Sequence, residues 1–185
     1  MRILWKFSRK PVILINLREM KRPLLLIVVV AALTVFTYAQ DKTIVLVRHA
    51  EKDSAAATMN GDDPLSEAGR ERAGRLLKIV KKYKPHEIFA TAYKRTQQTV
   101  EPIAAYRKKQ VQTYDPSKQA DLVSQIMASK TEHYLIAGHS NTIPALANLL
   151  AKKEIFKQDP DTEYGVIWVV KIRNGALIRV EVYTY

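Results

Sequence analysis

Cysteine is absent from the 185 residues. That excludes disulfides, thiolate metal sites, cysteine nucleophiles and anchoring through a lipid-modified cysteine. Acids are scarce as well: 18 Asp and Glu stand against 30 Lys and Arg, for a formal net charge of +12. No carboxylate cluster stands out as a cation site. No basic stripe is interleaved with aromatics, and zinc-finger and helix-turn-helix spacings are missing, so nucleic acid is not the expected partner. No apolar run reaches the ~20 residues that cross a bilayer comfortably. Internal repeats and low-complexity tracts are lacking too.

The basic excess is uneven. Residues 1–39 carry seven Lys and Arg against one acid, which is half of the total excess. Lys21-Arg22 precede the apolar run 24–36, and Thr37-Tyr38-Ala39 follows it. A basic n-region, a short h-region and a small-x-small site form the pattern of a secretory signal cleaved after Ala39. Export to the periplasm or beyond is therefore expected; left uncleaved, the segment would be a membrane anchor. A start at Met20 would give a compact signal and make residues 1–19 an upstream extension. The remaining +6 favours anionic substrates by steering.

Residues 40–185 have a common single-domain size. Strand and helix patterns alternate along them. An apolar β-branched run at 43–48 reads as a buried strand. Residues 51–64 form a polar loop with Asn60-Gly61 and Asp63-Pro64 turn signals. Ser66 reads as the N-cap of a helix to about 82, with Ala68, Ala73, Leu76, Leu77 and Val80 on its apolar side. Strands follow at 87–90, 111–114 and 133–137, and helices at 94–106, 118–129 and 142–150. Pro102 is expected to kink its helix. Residues 166–172 and 177–184 form a hairpin across Asn174-Gly175. The fold class is thus α/β: a three-layer sandwich, its mostly parallel sheet covered by helices on both faces, with the C-terminal hairpin at an edge.

Strand ends are where such sheets bind ligands. Arg48-His49 ends the first strand, Arg95 sits just inside the helix after the second, and Gly138-His139-Ser140 ends the fourth. By themselves, Arg48 and His49 read equally as a surface arginine beside a satisfied core histidine. With Arg95 and His139 at neighbouring strand ends, the four potential cations make a pocket that suits a dianion. A helix starting near Asn141 adds its N-terminal amides on the same side.

The motifs Arg48-His49-Ala50, 64–73 (PLSEAGRERA), Thr91-x-x-x-Arg95-Thr96-x-x-Thr99 and Gly138-His139-Ser140-Asn141-Thr142 together resemble the histidine phosphatase (phosphoglycerate mutase-like) superfamily, small phosphatase branch. The likeness runs in order from 43 to about 183. It implies that His49 is the nucleophile and carries a phosphohistidine, that Arg48 and Arg95 clamp the phosphoryl oxygens, and that His139 completes the pocket. Ser140 and Asn141 would add phosphate contacts. No metal or other cofactor is implied, and the partner is a small phosphorylated substrate. An exported phosphatase acting on a phosphomonoester or related phosphoryl compound is the leading expectation. A phosphoglycerate mutase-type phosphotransferase, a weakly catalytic phospho-ligand binding module and a metal hydrolase built on the two histidines are the alternatives.

Departures from the family bear on the proton donor. Ala50 and Ala55 stand where many members have Gly and Asn, and Ser140 stands where the acid phosphatases have Asp. The mutase-like branch takes a glutamate near the end of the strand after the second arginine, which corresponds here to Asp115. Asp115 is therefore the expected donor, with Asp121, Glu101 and Glu51 as alternatives and a turn before Pro116 as its bland reading. Lys52 and Lys94 flank the pocket. Gly69, Arg70 and Arg72 read as a solvated helix face, His86 and His133 as strand starts, and Tyr164 and Trp168 as loop and sheet packing.

Overall fold

The computed structural model describes residues 41–55 and 61–185; the N-terminal signal or anchor, Met20 and the cleavage site lie outside the described residues. Six strands form one sheet in the order β3-β2-β4-β1-β5-β6. They are β1 (Lys42–Arg48), β2 (Glu87–Ala90), β3 (Val111–Thr113), β4 (His133–Gly138), β5 (Val166–Arg173) and β6 (Ala176–Thr184). The first four run parallel, while β5 is antiparallel to β1 and β6 to β5. The hairpin therefore supplies the antiparallel edge.

Side chains on β1 alternate between two buried layers, because successive residues of a strand face opposite ways. Ile44 and Leu46 pack with Leu122 and Ile126 of α3 (Gln119–Ala128) and with Ile143, Leu146 and Leu150 of α4 (Thr142–Ala151). Val45 and Val47 pack with Leu76 and Val80 of α1 (Glu67–Val80) and with Val100 and Ile103 of α2 (Lys94–Arg107). All four of these β1 residues are fully buried. At roughly 1.5–3 kcal/mol for each such side chain, this strand pins both helical layers to one frame.

Ser66 caps α1 as its sequence position implies, accepting the Gly69 amide at 3.1 Å. The buried face of α1 is shifted from the expected one. Ala68 is exposed and Gly69 is buried, facing the backbone of Glu51. A Cβ at Gly69 would overlap the Glu51 carbonyl, so the helix can approach the strand-end loop only with glycine there. Pro102 lies inside an uninterrupted α2.

Candidate active site

Sheet register sets the site. The β1–β4 ladder runs up to Arg48 opposite Gly138, so His49 and His139 are the next residues on neighbouring strands. The His49 amide continues the ladder by donating to the Gly138 carbonyl at 2.9 Å. Ala90 pairs with Ala137 on the other side, which brings Thr91 to the same edge. The two imidazole centroids lie 5.4 Å apart, with ring planes at 67°. Both rings, with Arg48, Arg95, Lys52, Ser140, Asn141, Asp161 and Tyr164, line a cavity of about 400 Å³. Gly138 makes this edge tight: a Cβ there would stand 2.8 Å from both Thr142 Oγ1 and Tyr114 OH.

Hydrogen bonds fix the tautomer of each histidine. His49 Nδ1 lies 2.7 Å from the Ala50 carbonyl, which can only accept. Nδ1 therefore carries the proton, and Nε2 of the neutral ring holds the lone pair. His139 is set by a relay. The Thr96 hydroxyl donates to the carbonyls of Tyr93 and Thr91, so its oxygen receives the Thr91 hydroxyl at 2.8 Å. The Thr91 oxygen then accepts from His139 Nε2–H at 3.1 Å, leaving Nδ1 of His139 bare. Burial, and then the positive groups around it, lower the His49 pKa to about 3. Burial, followed by Arg95 and Arg48, takes His139 to about 4. Both rings are thus neutral in the free protein at ordinary pH.

The guanidiniums are anchored differently. Arg48 is buried, and its two terminal nitrogens are occupied by main-chain carbonyls. Nη1 donates to Pro160 and Glu163, at 2.9 and 2.6 Å, and Nη2 to Asp161 at 2.9 Å. Its carbon sits 4.3 Å from the Tyr164 ring centroid. Three of its five N–H groups thus hold the 160–163 turn, which leaves Nε and one Nη2 hydrogen for other partners. Arg95 donates Nη1 to the Gly61 carbonyl at 2.7 Å and stacks on Tyr93. Nε of Arg48 and Nε of Arg95 are both buried without a partner. An orphaned buried donor costs about 1–3 kcal/mol. Both guanidiniums belong to the cavity lining, where an anion would offset their charge.

The other expected site residues divide. Ser140 lines the cavity, but its hydroxyl donates to Asp161 Oδ1 at 2.8 Å. Asn141 is the N-cap position of α4 and also lines the cavity. Asp115 does not. It lies in a separate depression that also contains Asp121, and Glu101 lies in a third. Asp115 Oδ1 accepts the Ser117 amide and hydroxyl, so the turn before Pro116 claims the carboxylate and holds it below the usual aspartate range. Glu51 is bound through both oxygens to Arg72, which keeps it ionised. Arg72 is thus half-buried in an ion pair rather than on a solvated face. Lys52 pairs with Asp63 at 3.2 Å and Lys94 with Asp62 at 3.6 Å. His86 and His133 face each other away from the cavity.

Three site residues were not singled out as functional from sequence. Tyr164 stacks on Arg48, with its ring centroid 6.1 Å from that of His49. Thr91 orients His139, and Asp161 contributes the lone carboxylate among the described lining residues. Thr91 stands inside a quoted motif, so that signal was present. Tyr164 and Asp161 lie in a stretch with no periodicity to mark them.

Residues 44–116 match the histidine phosphatase superfamily (branch 1). Over those residues the chain is similar to this superfamily. That match contains Arg48, His49 and Arg95, and it ends before His139. Histidine phosphatase folds also surround the chain in structural comparison. The protein histidine phosphatase SixA complexed with tungstate superposes with a TM-score of 0.63 at 14% identity, covering 77% of this chain and 96% of that one. A candidate phosphohistidine phosphatase SixA from Nakamurella multipartitia gives 0.55 at 20% identity, covering 77% and 96%. A mycobacterial glucosyl-3-phosphoglycerate phosphatase gives 0.58 at 13% identity, covering 78% and 98%. At these identities the likeness is one of fold. No curated protein matches the sequence significantly.

Proposed function

We propose that this protein is an exported phosphatase of the histidine phosphatase superfamily that hydrolyses a small phosphomonoester, or a related phosphoryl compound, through a phosphohistidine at His49. The observation that carries the reading is the His49 tautomer. Its Nδ1–H is held by the Ala50 carbonyl, so the lone pair sits on Nε2 of a ring that lines the cavity. Nε2 attacks phosphorus in line. The P–N bond forms as the bond to the leaving oxygen breaks, and water then attacks phosphorus and returns the lone pair to Nε2. Negative charge spreads over three phosphoryl oxygens in transit. The guanidiniums of Arg48 and Arg95, with His139, line the cavity and would offset it. In this reading no metal takes part. Among the described residues, no three His, Asp or Glu side chains stand together as a metal site. The phosphatases of similar fold, acting on phosphohistidine and on glucosyl-3-phosphoglycerate by name, support a phosphoryl substrate. Export rests on the signal pattern ending at Ala39.

Turnover of nitrophenyl phosphate, with phosphorus NMR or radiolabel trapping of the intermediate, tests this. His49→Ala is expected to abolish both turnover and the trapped phosphohistidine, and His139→Ala to lower turnover by about 100-fold or more. Turnover that survives His49→Ala refutes the nucleophile. A second reading, a phospho-ligand binding module, has one observation in its favour: the terminal nitrogens of Arg48 are already committed to carbonyls. It predicts phosphate binding with no wild-type turnover.

A further inference from the structure

The proposed reaction needs a proton for the leaving oxygen, and the residues expected to supply it are placed elsewhere or already bound. Asp115 and Asp121 share a separate depression, Glu101 lies in another, and Glu51 is locked to Arg72. Asp161 is different. It is the sole carboxylate among the described residues lining the histidine cavity.

Its position is held from three sides. The Ser140 hydroxyl donates to Oδ1 at 2.8 Å, and Ser140 follows His139 directly. The Arg48 guanidinium grips the backbone of the same turn, donating to the carbonyls of Pro160, Asp161 and Glu163. The Asp159 amide donates to the Ser140 carbonyl at 3.0 Å, which ties the start of the turn to the strand-end loop. The group that approaches the phosphoryl site thus also fixes the carboxyl beside it: Arg48 Nη2 is 3.9 Å from Asp161 Oδ1. Oδ2 makes no hydrogen bond among the described residues. The side chain is 82% exposed, so solvent can reload it between turnovers.

We propose that Asp161 is the catalytic acid and base of the phosphatase reaction, an inference that rests on the phosphohistidine reading above. In this role the Asp161 carboxyl enters the complex carrying a proton. As the bond from phosphorus to the leaving oxygen breaks, that oxygen takes the proton and leaves as an alcohol, while Asp161 becomes the carboxylate. Water then attacks the phosphohistidine. Asp161 accepts one of its protons as the P–N bond breaks, phosphate departs, and the electron pair returns to His49 Nε2. The carboxyl ends the cycle protonated, as it began.

A leaving-group series separates this role from a structural one, because an acid matters most when the leaving oxygen is basic. Wild type and Asp161→Asn are compared on nitrophenyl phosphate and on phenyl phosphate, with binding of inorganic phosphate confirming an intact pocket in both proteins. The expected loss in kcat/KM is less than about fivefold for nitrophenyl phosphate and about 100-fold or more for phenyl phosphate, within the range general acids supply. Asp161→Glu is expected to recover part of the phenyl phosphate rate. Equal losses on both substrates, or a gain on both, overturn the assignment. So does a wild type that hydrolyses nitrophenyl phosphate but leaves phenyl phosphate untouched. Absence of both turnover and trapped phosphohistidine in wild type would remove the phosphatase reading itself. Failure of the acid alone leaves the His49 intermediate in place.

Discussion

The Thr99 hydroxyl accepts the Ala50 amide proton at 2.9 Å while donating its own proton to the Arg95 carbonyl at 2.7 Å. One side chain on α2 therefore braces the backbone directly after His49. Ala50, the residue it holds, bears the carbonyl that sets the His49 tautomer. Thr99→Val keeps the shape and removes the acceptor, leaving a buried amide unpaired. Urea denaturation is expected to show a loss of about 1–3 kcal/mol. In the same variant kcat should fall more than KM rises, since the imidazole loses its orientation while the anion donors stay in place.

Acid should weaken this fold through its active site. An unfolded histidine binds its proton near pH 6.5, whereas His49 and His139 resist protonation in the folded state down to about 3 and 4. Between those limits the unfolded chain holds more protons, so stability falls as pH drops from about 6.5 toward 4 and is recovered above it. Thermal melts across that window should show the decline. His49→Ala and His139→Ala should each flatten it, by up to about 1.4 kcal/mol per pH unit for each proton removed from the balance. Nitrogen NMR at pH 5.5 should still find the His49 ring neutral, with its proton on Nδ1. A ring already protonated there would contradict the packing described for it.

Phosphate or tungstate should reverse part of that effect. An anion in the cavity that Arg48 and Arg95 line offsets the guanidinium charges that depress His139, so binding is expected to draw a proton onto its bare Nδ1. Calorimetry at pH 6 in buffers of different ionisation enthalpy should report net proton uptake, and His139→Gln should reduce it. An observed enthalpy independent of buffer would speak against this linkage.

How much of this was readable beforehand follows the physics of each element. Strand and helix patterns are local, so β1, β2 and α2 fell within a residue or two of where periodicity and turn residues put them. His49, His139 and Arg95 were legible because each sits where an apolar run stops. Asp161 and Tyr164 were not, since they reach the site through contacts more than a hundred residues away in sequence to Arg48. Asp115 was misplaced for a related reason. Its likeness to a family position set it beside the pocket, but local hydrogen bonding to Ser117 decided its carboxylate.

The Glu51–Arg72 pair is expected to be structural. Arg72 joins both Glu51 oxygens to the carbonyl of Tyr185 at the C-terminus. Glu51→Gln leaves a half-buried arginine short of its counter-ion and should cost about 1–3 kcal/mol in denaturant. Its losses on nitrophenyl and phenyl phosphate should match each other. A loss that grows with leaving-group basicity would restore Glu51 as the proton donor.

Two measurements on the natural protein address its setting. Hydrolysis should continue unchanged in excess chelator; a collapse there, restored by a divalent cation, would point to a metal hydrolase instead. The mature chain should begin at Gln40 by N-terminal sequencing. Peptides from before Met20 would show that the longer start is used.

Arg48 grips the 160–163 turn through carbonyl oxygens, atoms that every amino acid carries. The wall of the pocket is thus fastened independently of which side chains decorate it. Substitutions along that turn can reshape what the cavity admits without loosening the wall from its anchor. Selectivity can drift at the turn's other positions over generations while Asp161 and the machinery beneath it stay untouched.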